Sequence, residues 1–257
     1  MTAFLPDGFA VFLMLLTFIM SFLAYWLVIE NPAVRASFIR HRGEESGAVR
    51  FFVFNKLWGT LLFGIVCTIV ALIMYPASSL SDFGLNLPLP GSSALKTLAW
   101  SLGLSLPLVL ANYLRSKKTA RTNGNFGRYP EIQTASWNVC IVVIEIALWS
   151  LYLFSYELLF RGTLLFTLIG SLGFWPAIGI NIALYSAVHV PKGAAEAIGA
   201  LALGFVLCLI TIDTGSILVA IIVHIALAVS NDLFSFHFRK DICWEGSLKG
   251  SGRGVKP

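Results

Sequence analysis

With 257 residues, 57% of them hydrophobic and only 12% charged, the chain carries too little polar surface to enclose a water-soluble globule. Its mean hydropathy of +0.82 marks a membrane protein, and several apolar runs reach the roughly 20 residues that cross a hydrocarbon core about 30 Å thick. The net charge of +5 does not point to nucleic acid, because the basic residues fall into three separate groups and not into one patch interleaved with aromatics.

In chain order, the first apolar run, "GFAVFLMLLTFIMSFLAYWLVIE" at 8–30, has no basic flank before it and no A-x-A-like cleavage site after it. It is therefore expected to stay as a helix and not to act as a signal peptide. Arg35, Arg40, Arg42, Arg50 and Lys56 follow it. A second span is expected over 57–75, closed by the Pro-, Gly- and Ser-rich loop "ASSLSDFGLNLPLPGSS", which has no basic residue. A third span over 94–113 runs into the polar stretch "RSKKTARTNGNFGRYPEIQ", with Arg115, Lys117, Lys118, Arg121 and Arg128. A fourth run, 138–172, is too long for one perpendicular crossing and must tilt, kink or begin along the interface. Spans over 175–189, 194–213 and 216–236 follow, then a tail with Arg239, Lys240, Lys249, Arg253 and Lys256. The positive-inside rule puts the three basic segments in the cytoplasm, the N-terminus outside and the C-terminus inside. The expected fold is an all-α polytopic transmembrane bundle of about seven to eight helices. Cys67, Cys140 and Cys208 lie in apolar runs and Cys243 stands alone, so neither a disulfide framework nor a C-x-x-C metal site is indicated.

The fourth run should stop at "GSLGFWP", where Gly173 and Pro176 break the helix. Glu157 lies 16 residues before that turn and His189 16 residues after it. At 1.5 Å per residue, two antiparallel helices would hold both side chains at a similar depth, about 24 Å from the turn. In the last span Asn231 follows His224 by seven residues and shares its stripe, with Asp232 further round.

A charge at mid-bilayer costs about 2.5–3.5 kcal/mol on insertion scales, so intramembrane ionisable groups face the bundle interior and pair. Glu157 and Arg161, one turn apart, can form such a pair. It is either a structural ion pair that orients the helix or the support of a catalytic pocket. Glu145, twelve residues before Glu157, falls about 120° round the helix and about 18 Å away, and reads as an interface or packing residue. His41 and His237 are expected to be exposed, and the small residues Gly199, Ala200 and Gly204 to permit close helix contact.

"YELLFRG", "YSAVHVPKG" and "DTGSILVAIIVHIALAVSND", in that order over roughly residues 130–236, resemble the three signature blocks of the CPBP family of CAAX proteases and bacteriocin-processing enzymes, E-E-x-x-x-R, F-x-x-x-H and H-x-x-x-N. "DFGLNL", after the second span, resembles a common upstream element of that family. Hydropathy alone gives N-terminal transmembrane helices over 1–133, the resemblance implies a catalytic core over 134–236, and the positive-inside pattern makes 237–257 a basic cytoplasmic tail. The resemblance also implies a glutamic-type intramembrane endopeptidase of a bacterial inner membrane, acting on a membrane-associated peptide or protein within the lipid bilayer, with no nucleic acid partner. In such enzymes the first Glu of the pair and the second-block His activate a water, while the third-block His and Asn hold the carbonyl oxygen.

Position by position, Glu157 is the second Glu, Arg161 the Arg, His189 the second-block His and His224 the third-block His. Tyr185 stands where Phe is frequent. Two positions depart: the first Glu is Tyr156, and the third-block Asn is Ala228. A phenol with an ordinary pKa of about 10 cannot replace a carboxylate base at neutral pH. The base could then be Glu157, or Glu196 at the start of the next helix, where the helix dipole alone also favours an acid. Asn231 could supply the missing amide, or it could only help close the last helix with Asp232.

The expected catalytic set is Glu157, His189, His224 and Asn231, supported by Arg161, Tyr156, Glu196 and Tyr185, with no cofactor. A zinc variant would use the two His and the Glu, without the H-E-x-x-H spacing. The alternative is a catalytically inactive scaffold or partner of the same fold. A solute transporter fits less well, since no inverted repeat is seen.

Overall fold

A computed structural model describes residues 7–87 and 92–245 as an all-α bundle of eight helices. Helix α1 is Asp7–Ile29, α2 is Pro32–Arg42, α3 is Glu44–Met74 and α4 is Ser92–Thr122. Then come α5, Val139–Leu172, α6, Phe174–Ala187, α7, Ala194–Thr214, and α8, Leu218–Phe238. Six of them, all except α2 and α6, are long and apolar enough to cross a bilayer. Leu27, Ile73, Leu106 and Ile198 each leave more than 60% of their surface outside the bundle. Only a hydrocarbon solvent makes such a belt favourable, and the chain is an integral membrane protein.

Three boundaries differ from expectation. The 175–189 span is a helix of only 14 residues, about 21 Å long and short of a full crossing. It ends because Val190–Lys192 turns as a short 3-10 segment around Pro191, which has no N–H to continue the helix. The third span continues through the basic run to Thr122, since Arg, Lys and Ala are good helix formers and the long cationic side chains snorkel outward. The second begins at Glu44, thirteen residues before the apolar stretch. Helix α2 was not foreseen; Asn31 caps it by accepting the Ala33 N–H at 2.9 Å, with Pro32 in the first turn. The hairpin at Gly173 is present: its φ of 80° ends α5 and starts α6, a backbone conformation that glycine adopts without a Cβ clash.

Two helices change pitch midway. Thr60–Val66 in α3 and Leu158–Leu164 in α5 are π-helical, and the two segments pack against each other. Gly64 makes the approach possible, since a Cβ there would fall 2.6 Å from the Ser155 hydroxyl.

The principal core joins α1 and α3 to α5 and α6, through Phe18, Phe52, Phe63, Tyr152, Leu159, Phe160 and Tyr185. At the end carrying the basic groups, Lys56 meets Glu131 at 2.7 Å, Arg239 donates to the Tyr129 carbonyl at 3.2 Å, and Ser136–Trp137 pairs in parallel with Cys243–Trp244. At the other end Ile217 donates its N–H to the Gly84 carbonyl at 2.9 Å and Ser216 its hydroxyl to Asn86 at 2.8 Å. His237 is exposed at the end of α8. The side chain of His41, and the tail residues Lys249, Arg253 and Lys256, lie outside the described residues.

Candidate active site

Glu157 closes the α-helical part of α5, and Arg161 lies within the π-helical turn that follows. That turn frees the Phe160 carbonyl, which accepts from the Asn181 side chain of α6 at 2.6 Å. One Glu157 oxygen accepts the Nδ1–H of His224 at 2.5 Å, and the other lies 3.3 Å from Arg161. Glu157 and Arg161 are wholly buried and His224 is nearly so. The Arg161 guanidinium lies 3.9 Å from the Tyr185 ring centroid, a cation–π contact that partly replaces lost hydration. None of its three nitrogens makes a hydrogen bond among the described residues.

Gly204 of α7 makes room for this stack, because a Cβ there would meet Tyr185 at 2.9 Å and Arg161 at 3.4 Å. At Gly199 an added Cβ meets nothing within 4 Å, so the expected close contact is absent there; Ala200 is buried in the principal core.

His189, just past α6, is half-buried, and its Nδ1 lies 2.7 Å from the Tyr185 carbonyl oxygen. A carbonyl only accepts, so Nδ1 carries the proton and Nε2 of the neutral ring keeps its lone pair. Tyr156 stands between the two imidazoles with its ring edge-on to both, 5.6 Å from His224 and 6.4 Å from His189. Tyr185 flanks them at 6.2 and 5.0 Å. Both tyrosines are buried, while His189 keeps part of its surface exposed. Two cavities open elsewhere, of about 200 and 310 Å³, and neither is lined by Glu157, His189 or His224.

The expected residues are thus partly brought together. Glu157, Arg161, His224, Tyr156, Tyr185 and His189 form one cluster, in which Glu157 bonds to His224 and Tyr156 stands between the two imidazoles. Asn231 is turned elsewhere: its amide oxygen accepts from Arg115 of α4, about 10 Å along α8 from His224. A shared stripe fixes the side of a helix and not its nearest neighbour, and the guanidinium claims the amide. Glu196 accepts from the Tyr129 hydroxyl at 3.2 Å and so faces the 123–138 connection. Among the described residues no three His, Cys, Asp or Glu side chains converge on an ion site.

Sequence reasoning missed a second buried cluster. Glu145 and Asp232, both wholly buried, accept from the same Trp149 indole N–H, at 2.9 and 3.2 Å. Asp232 also accepts the Glu131 backbone N–H at 3.1 Å. The Lys56 ammonium sits 3.2 Å from the Trp149 ring centroid, and Asn55 donates to Glu131 at 2.9 Å. Glu145 is therefore no simple packing residue, and Asp232 does more than close a helix. The available signal was the presence of three ionisable residues, Lys56, Glu145 and Asp232, inside or beside apolar runs, where each needs a partner.

Residues 138–230, from the start of α5 to the last turns of α8, match the family model described as type II CAAX prenyl endopeptidase Rce1-like. No curated protein and no solved structure matches the chain. The matched stretch takes in all three motif blocks, on α5, at and just past the end of α6, and on α8, so this part of the chain is similar to that family, with Tyr156 and Ala228 at two motif positions.

Proposed function

We propose that the chain is an intramembrane peptidase that hydrolyses a peptide bond of a membrane-associated protein or peptide. The observation that carries this reading is the buried Glu157–His224 contact at 2.5 Å, backed by Arg161. A carboxylate that accepts from Nδ1–H fixes the orientation of an imidazole, and the Nε2–H of the doubly protonated ring can donate to a developing oxyanion. His189, with Nδ1 committed to the Tyr185 carbonyl, offers Nε2 to a water. Water oxygen attacks the carbonyl carbon, its proton passes to His189, and that proton then goes to the leaving amine as the C–N bond breaks. Glu157 acts in this scheme by orienting His224 and not as the base, and Arg161 balances its charge. Asn231 serves α8 by holding Arg115. Lys56 and Arg239 are both tied to the 123–138 connection, through Glu131 and the Tyr129 carbonyl, so described residues of the basic segments share one end of the bundle; this supports a cytoplasmic position for that end and an outside N-terminus, as in a bacterial inner membrane.

The test is cleavage of a library of membrane-anchored peptides by the purified chain in detergent. His189→Ala is expected to lower turnover by about 10²–10⁴-fold, the usual worth of a general base. Glu157→Gln should lower it by a comparable factor by leaving His224 unoriented. Undiminished cleavage in both variants would overturn the assignment.

One observation favours a second reading, a non-catalytic scaffold of the same fold: the Tyr156 ring fills the space between the imidazoles and is only 4% exposed. A silent wild-type chain that gains hydrolysis on Tyr156→Glu would select this reading.

A further inference from the structure

The larger cavity, about 310 Å³, opens at the basic end between α4 and α8, beneath the loop that follows α4. Its wall is part polar and part apolar: Arg115, Ser116 and Thr119 come from α4, Ser235 from α8, and Asn125, Phe126, Gly127 and Tyr129 from the loop. No acidic residue lines it. Arg115 touches only the neutral amide oxygen of Asn231, and among the described residues no carboxylate lies within ion-pair distance of it. Arg115 is exposed at the mouth of the recess and free to take an anion, and Ser116, Thr119 and Ser235 add hydroxyls that can donate. The nearby acids are engaged elsewhere, Glu196 with the Tyr129 hydroxyl and Asp241 with Arg239. Lys118, Arg121 and Arg128 are exposed around this end and raise the local positive potential.

We infer that this cavity is a binding site for a phosphate group that carries net negative charge. The size is at the lower end of ligand pockets, about 300 Å³ and upward, and suits a headgroup more than an extended peptide. Depth agrees, because Arg115 and Ser235 sit near the ends of their membrane helices, where headgroups lie, and basic recesses between transmembrane helices bind anionic headgroups. The guanidinium offers a planar fork for two phosphate oxygens, and the hydroxyls can take the others. The Arg115 guanidinium and the basic residues around this end favour a headgroup of net negative charge over a zwitterionic one. The phosphate can come from an anionic glycerophospholipid or from a soluble phosphate. The inference does not depend on peptide hydrolysis.

The experiment is thermal unfolding of the full chain in neutral detergent, titrated with dihexanoyl phosphatidylglycerol, with dihexanoyl phosphatidylcholine, and with inorganic phosphate against chloride at matched ionic strength. Saturable stabilisation by phosphatidylglycerol and not by phosphatidylcholine is expected, with apparent affinity at least tenfold weaker in Arg115→Gln and unchanged in the distant control Arg50→Gln. Thr119→Trp, which fills the recess without removing charge, should abolish saturation even if Arg115→Gln weakens the fold. Saturation by inorganic phosphate alone would support the site and assign it to a soluble ligand. Stabilisation that never saturates, or that falls equally in Arg50→Gln and Arg115→Gln, would overturn it.

Discussion

The two buried polar clusters use charge in different ways. Around Lys56 the cation is satisfied: a carboxylate oxygen lies at 2.7 Å and an indole face at 3.2 Å, and the contacts link residues far apart in sequence, 56 to 131 and 149 to 232. Around Glu157 the cation is starved: Arg161 has one carboxylate at 3.3 Å, an aromatic face, and no hydrogen bond among the described residues. The first arrangement ties α3, α5, α8 and the 123–138 connection together. The second keeps an imidazole aligned at the expense of unsatisfied donors, a cost that a bundle tolerates where chemistry requires it.

The sharpest way to break this contrast is Arg161→Met, which leaves Glu157 buried without its cation. It should destabilise the chain by about 3–5 kcal/mol, read as a lower unfolding temperature in detergent. The double variant Glu157→Gln with Arg161→Met should recover much of that loss; no recovery would mean that the two groups are not coupled. Lys56→Met should cost less, about 1–3 kcal/mol, because Glu131 is partly exposed and water can take over its charge. A comparable loss of about 1–3 kcal/mol is expected from Gly204→Val through overpacking against Tyr185, and turnover should fall with it because His189 hangs from the Tyr185 carbonyl. The smallest effect should come from Asp232→Asn, within about 1 kcal/mol, since the amide oxygen can still accept from Trp149 and from the Glu131 N–H while one of two adjacent carboxylates disappears. If Asp232→Asn destabilises as much as Arg161→Met, the two clusters do not differ as described.

Much of the bundle was legible. Hydropathy located the long apolar helices, and Gly173 marked the tight hairpin between α5 and α6, because lipid leaves a helix little choice but to be apolar until a backbone breaker ends it. The Glu157–Arg161 pair followed from spacing. Other features were hidden because they depend on register between distant helices. The departure to Tyr156 was visible, but its position between His189 and His224 was not, since the π-helical turn after Glu157 resets the direction of everything beyond it. The meeting of Glu145 with Asp232 required knowing which faces of α5 and α8 oppose each other. The extension of α4 to Thr122 was misread because polar character was equated with loop, although "LRSKKTART" has ordinary helix propensity.

The widened turns in α3 and α5 act as phase shifters on a screw. An α-helix advances about 100° per residue, so excising a single residue from Leu158–Leu164 and letting the segment rewind to regular pitch would swing the whole Leu165–Leu172 half of α5 by about that angle relative to Glu157. The paired segment in α3 would then present its groove to the wrong side chains. Indels at these two places should be far less forgiving than equal-sized ones in the connections, and any redesign of the bundle has to treat the two turns as a matched set.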